Sequence, residues 1–73
     1  MPKLPVLSGR KLIELLQVAG FTVVRQKGSH VSLQKGPYKT VVPLHNELAR
    51  GTLLGILKQS GLSKDDLLAL MSQ

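Results

Sequence analysis

The chain has no cysteine and no tryptophan. Disulfides and thiolate metal sites are therefore excluded, and the composition suits a reducing cytoplasm. Phe21 and Tyr38 are the only aromatic residues, too few to stack several bases as RNP-type sheets do. Apolar runs end after a few residues, far short of the roughly 20 that span a bilayer. Met1-Pro2-Lys3-Leu4-Pro5 has no signal-peptide hydrophobic region, so a cytoplasmic protein with no membrane partner is expected. No Walker loop, Gly-x-Ser-x-Gly elbow or zinc spacing is present. Two histidines without cysteines or a clustered carboxylate pair make a poor metal site, and no cofactor is expected.

Acidic residues are the other scarcity, with four Asp and Glu against ten Lys and Arg, a formal net charge of +6. The imbalance is local. Lys3, Arg10, Lys11, Arg25, Lys27, Lys35, Lys39 and Arg50 face only Glu14 and Glu47 in residues 1–50, whereas Lys58 and Lys64 balance Asp65 and Asp66 in residues 51–73. The excess thus belongs to the first helix and the strands, and a polyanion is the partner it fits. A basic surface kept for solubility is the plainer alternative.

Seventy-three residues predict one domain over 1–73. A domain of this size buries only about 60% of the surface its unfolded chain exposes. After a proline-marked lead-in, Ser8 is a suitable N-cap. Leu12, Ile13, Leu16 and Ala19 then repeat at helical spacing, with Leu15 widening the stripe, until Gly20 stops the helix. Arg10 and Lys11 fall in the first turn, where the helix dipole disfavours cations. Strands are predicted over about residues 21–27, 30–35 and 40–44, joined by Gly28-Ser29 and by Gly36-Pro37-Tyr38-Lys39. Pro43 disturbs the alternation of the third strand, so the faces taken by Val41 and Val42 stay open. A polar connection, His45–Gly51, leads to a helix over Thr52–Ser60 closed by Gly61. Gly55 inside that helix suggests close packing. Ser63 caps a last helix whose first turn carries Asp65 and Asp66. The order predicts an α+β fold: helix, three-stranded antiparallel sheet, helix and short C-terminal helix, with one sheet face open. Leu44, Leu48, Leu54 and Leu70 exceed what one face of three strands obviously buries. They either finish the core or form a partner surface.

The sharpest local signal is Lys27-Gly28-Ser29-His30. Strand alternation sets Val31 and Leu33 on one face, and His30, Ser32 and Gln34 on the other. If the valine and leucine pack inward, His30 points outward, with Arg25, Lys27 and Lys35 close in sequence and suited to a phosphate. His45, at the end of the third strand, is a second acid–base group, a phosphate contact or a structural hydrogen-bonder. Tyr38 at the hairpin tip is either a single base contact or a surface residue.

Ordered blocks carry a family resemblance over about residues 4–71: Ser8-Gly9-Arg10-Lys11 before a leucine-rich helix, Ala19-Gly20-Phe21, Arg25-Gln26-Lys27-Gly28-Ser29-His30, Val42-Pro43-Leu44-His45, and Gly51-Thr52-Leu53 with Ile56-Leu57. The sequence resembles HicA, the YcfA-like toxins of HicAB toxin–antitoxin systems. That resemblance implies a double-stranded-RNA-binding-domain-like fold and an mRNA interferase, an endoribonuclease neutralised by a HicB-like antitoxin. It implies His30 as the catalytic residue. Leu54, where relatives often carry a basic residue, and Gly55 depart from the usual pattern. RNA contacts are expected from Arg10, Lys11, Arg25, Lys27, Gly28, Ser29 and Lys35. Cleavage is expected to need no metal, because RNA carries its own nucleophile in the 2′-hydroxyl. Two alternatives remain: a non-catalytic double-stranded RNA or DNA binding protein, and a structural partner protein whose charge is incidental.

Overall fold

The first helix, α1 (Gly9–Val18), starts where the Ser8 hydroxyl accepts a hydrogen bond from the Lys11 N–H at 3.1 Å. It ends in a Schellman motif: Phe21 N–H donates to the Leu16 carbonyl, Gly20 N–H donates to Gln17, and Gly20 takes φ +105°. The protein is seen here in a computed structural model that describes residues 4–72, so the lead-in is described from Leu4 and residues 1–3 and 73 lie outside it.

The chain then runs through β1 (Thr22–Lys27), β2 (His30–Lys35) and β3 (Tyr38–Pro43), an antiparallel meander in the order β1-β2-β3. Gly28 and Gly36 open the two hairpin turns at φ +60° and +57°. A side chain there would be strained, and a positive first residue alone is the signature of a type II′ turn. The third strand starts at Tyr38, two residues earlier than the sequence suggested, because Gly36-Pro37 suffices as the connection. That length fixes the register, with Lys35 opposite Tyr38, Leu33 opposite Thr40 and Val31 opposite Val42. The open question about β3 is thereby answered: Val42 is fully buried and Val41 is 47% exposed. In β1 the register slips at Val24, a β-bulge that sets Val23 opposite Leu33 and Arg25 opposite Ser32.

α2 (Arg50–Ser60) begins two residues before the predicted start, with Ala49 at the N-cap and no side chain capping it. Its far end closes at Gly61, φ +70°, where Leu62 N–H donates to the Leu57 carbonyl. α3 (Lys64–Met71) opens in a capping box: Ser63 Oγ accepts from Asp66 N–H, and Asp66 Oδ2 accepts from Ser63 N–H at 2.9 Å. The result is the expected α+β order, helix, sheet, then two helices.

α1 and α2 pack against β3, and α3 packs against α1. The core joins Leu12, Leu15 and Leu16 of α1 to Val31, Leu33 and Val42 of the sheet, to Leu53, Ile56 and Leu57 of α2 and to Leu67 of α3. Thr40, also buried, donates to Gln59 Oε1 at 2.8 Å and ties β3 to α2. Most of the surplus leucines finish this core. Leu48 is buried, Leu44 and Leu70 pack half-buried against it, and Leu54 is half-buried. The exposed apolar residues are instead chiefly valines: Val6, Val18, Val23, Val24 and Val41.

Glycines separate sharply by what surrounds them. Gly9 lies so close to β3 that a Cβ would collide with the Pro43 carbonyl oxygen, and a Cβ on Gly61 would stand 2.6 Å from the Tyr38 ring. Gly55, contrary to expectation, has nothing within 4 Å of a built Cβ. Its lack of a side chain serves no packing, so it only weakens α2. Gly55→Ala is expected to raise stability by about 0.5–1 kcal/mol. Gly61→Ala should lower it by more than about 1 kcal/mol, through both the left-handed backbone and the tyrosine contact. Paired thermal melts test this, and a neutral Gly61→Ala would contradict the contact.

The Asp66 carboxyl sits below its ordinary value, held there first by the Ser63 backbone N–H and then by the Ser63 hydroxyl. A carboxylate favoured by the fold contributes above its unfolded value, and the contribution disappears as pH falls through the lowered one. The start of α3 is therefore expected to fray below about pH 4. The amide resonances of Ser63 and Asp66 would report this, and a cap unchanged at about pH 2 would contradict it.

Candidate nucleic-acid interface

His30 opens β2, and the residues flanking it, Val31 and Leu33, are buried. Their burial turns His30, Ser32 and Gln34 to the face that no helix covers. His30 is exposed and pairs laterally with Lys27 on one side and Pro43 on the other. One step along, Arg25 and Val41 flank Ser32, and beyond that Thr22 and Lys39 flank Gln34. Arg25, Lys27 and Lys39 thus share a face with His30, and the strands and turns of residues 22–43 contain no acidic residue.

A second gathering occurs at the His30 end of the sheet. Leu44 N–H donates to the Ser29 carbonyl at 2.7 Å, and Gly9 N–H donates to the His45 carbonyl at 2.9 Å. These bonds lace the Gly28-Ser29 turn, the end of β3 and the start of α1 together. Arg10 and Lys11, remote from the strands in sequence, are brought to the same corner, both exposed. Lys11 makes a 3.7 Å surface pair with Glu14, an interaction worth little in water. His45 serves structure through its backbone carbonyl, while its side chain stays exposed.

Lys35 is the exception among the expected contacts. It lies at the opposite end of β2 from His30 and has the parity of Val31 and Leu33, so it points to the helix side. Its Nζ donates to the Ala19 carbonyl at 2.6 Å, at the negative end of the α1 dipole. Closeness in sequence to His30 was misleading, because five residues along a strand cover about 16 Å and reverse the face. Lys39, expected in the turn after β2, lies instead in β3 opposite Gln34 and so on the open face where Lys35 was expected. The two-residue Gly36-Pro37 turn was the signal that could have found it. Tyr38 likewise rests its ring on Gly61, away from the open face.

Among the described residues, no group of three or more His, Asp or Glu lies close enough to hold a metal ion. No helix among them is long and apolar enough to cross a membrane.

A family model described as the HicA toxin of bacterial toxin–antitoxin systems matches residues 9–62. The chain belongs to the HicA toxin family. The match runs from Gly9, whose missing side chain lets α1 meet β3, to Leu62, the residue just past the glycine that ends α2. Membership makes the protein a toxin-type component and implies an antitoxin partner. No curated protein and no solved structure matches the chain.

The placement of Lys35 separates its role from those of its neighbours. Lys35→Ala is expected to cost about 0.5–1 kcal/mol of stability through the lost cap on α1, while the affinity for a polyanion that the charge of the open face predicts changes little. Lys27→Ala should do the reverse, weakening binding and flattening its salt dependence. Melting curves and binding at two salt concentrations distinguish the pair. Loss of affinity in Lys35→Ala equal to that in Lys27→Ala would contradict the assignment.

Proposed function

We propose that the protein is an endoribonuclease that cleaves messenger RNA, with His30 as the general acid or base and without a metal ion. The observation that carries this reading is an exposed histidine on a helix-free sheet face that holds Arg25, Lys27 and Lys39 and no carboxylate. A nuclease using a bound divalent cation needs oxygen ligands near the scissile phosphate. The four acids are Glu14, Glu47, Asp65 and Asp66, on helices or the connection after β3. RNA supplies the nucleophile instead. The 2′-oxygen attacks the adjacent phosphorus and loses its proton to a base. The bond to the 5′-oxygen breaks, and that oxygen takes a proton from an acid. The products are a 2′,3′-cyclic phosphate and a free 5′-hydroxyl.

In this scheme His30 handles one of the two protons, and His45, at the same end of the sheet, is available for the other. Arg25 and Lys27 neutralise the charge that grows on the phosphorane, which a fixed cation does without reorganising. The Gly28-Ser29 turn brings the backbone close to the phosphate, and Arg10 and Lys11 extend the positive surface along the substrate. A HicB-like antitoxin would neutralise the toxin by occluding this face. The apolar part of that grip would come from the exposed valines, since the leucines are largely committed to the core.

His30→Ala is expected to fold normally, because an exposed strand residue costs about 0–1 kcal/mol, and to bind RNA. Its cleavage rate should fall by roughly 10²–10⁴-fold. Wild-type cleavage should persist in EDTA and stop when the 2′-oxygen at the cut position is methylated, as it should for the same sequence in DNA. Binding without cleavage by the wild type would instead support a non-catalytic RNA- or DNA-binding protein. Full activity in a folded His30→Ala, or a requirement for Mg²⁺, would overturn the mechanism.

A further inference from the structure

All six residues of β1 are exposed, because the helices cover β3 and one another and leave the helix-side face of β1 bare. The bulge at Val24 aligns Val23 and Gln26 with that bare face, opposite Leu33 and Val31. Between α1 and β1 lies a groove of about 310 Å³ with Ile13, Val23, Val31 and Leu44 as its apolar wall and Arg10, Glu14 and Gln26 at its polar edge. Arg10 and Glu14 are four apart on α1 and so lie side by side on one face of the helix.

An apolar slot with a few convergent polar groups is the usual form of a small-ligand site, and these groups are specific in kind. An arginine side chain donates as a fork to the O6 and N7 acceptors of guanine. A carboxylate only accepts, and guanine offers it two adjacent donors, N1–H and the 2-amino group. Adenine offers neither an O6 acceptor nor an N1–H donor. The groove also adjoins the proposed RNA path: Gln26 is next to Arg25 and Lys27, and Arg10 belongs to the corner laced to the Ser29 turn. A strand held by Arg25 and Lys27 on the open face reaches the groove by passing over the edge of β1.

We propose that this groove is a nucleobase subsite that selects guanine, with Arg10 and Glu14 reading the base and Ile13, Val23 and Leu44 enclosing it. The proposal rests on RNA being the substrate and adds a specificity determinant to it. A protein segment placing an apolar side chain there is the competing occupant. The paired donor and acceptor at the rim, together with a net charge of +6, favour a nucleotide.

The test uses 2′-O-methyl trinucleotides, A-G-A and A-A-A, which cannot be cleaved, titrated into the full chain and followed by backbone amide resonances. Binding of A-G-A should shift the amides of Ile13, Glu14, Val23 and Gln26 and be on the order of tenfold tighter than A-A-A. Glu14→Gln, a surface change that spares the fold, should remove that preference while retaining most of the affinity. Equal affinities, or shifts confined to the open face around His30, would overturn the subsite. So would an apolar peptide that fills the groove more tightly than either trinucleotide. Cleavage mapping on a mixed-sequence RNA separates the two claims. Cleavage abolished in His30→Ala but with sites unchanged in Glu14→Gln defeats the subsite and leaves the ribonuclease reading standing. Guanine-selective binding by a wild-type protein that cuts no RNA defeats the ribonuclease reading alone.

Discussion

Alternation along β2 is the constraint on which the rest of the structure depends. Val31 and Leu33 are both buried beneath the helices, and a strand cannot bury them without turning His30, Ser32 and Gln34 the other way. A one-residue slip would put a histidine and a serine in the core and two apolar side chains in water. Each buried polar group would then lack a partner, at a cost of about 1–3 kcal/mol. The exposed imidazole is thus fixed by the packing on the opposite face, and its position is as secure as the core itself.

The second constraint is the approach of α1 to the end of β3. A hydrogen bond from Gly9 N–H to the His45 carbonyl, and the lack of room for any side chain at Gly9, fix the helix start against Pro43. The cations of the first helical turn would be misplaced in an isolated helix, since they sit at the positive end of its dipole. Docked here, Arg10 and Lys11 join the corner that holds the Ser29 turn and His45. The local electrostatic cost is small, about 0.3–1 kcal/mol in exposed helices. It is offset many times over by the burial of Leu12, Leu15 and Leu16 on the same helix.

What the sequence revealed follows the range of each interaction. The Ser8 cap, the Gly20 and Gly61 stops and the parity of β2 depend on neighbours within a few residues, and all were legible. The side taken by Val41 and Val42 depended on the length of a turn. The facing of Lys35 followed from that same β2 parity, but its hydrogen-bond partner, a carbonyl sixteen residues away, did not. Gly9 and Gly55 illustrate the limit well. Both are glycines in helices, yet only the tertiary contact shows that one is sterically required and the other merely tolerated. The groove beside β1 was equally hidden, because it arises from a bulge and from where the helices do not lie.

The open face and the groove have one physical origin. Three short helices cannot cover both sides of a three-stranded sheet, and here they do not fully cover even one. Folding spends the apolar residues on β2, β3 and the helix contacts. That leaves the outer face and the whole of β1 in water. In a larger domain another element would shield that surface. In this chain, charge takes over the work of keeping it soluble. Arg25, Lys27 and Lys39 stand among Val24 and Val41, discouraging edge-to-edge association of like-charged copies. The same cations suit the face to a polyanion. A surface that the helices leave unburied is the surface left available for the antitoxin that family membership implies and for the RNA proposed as substrate.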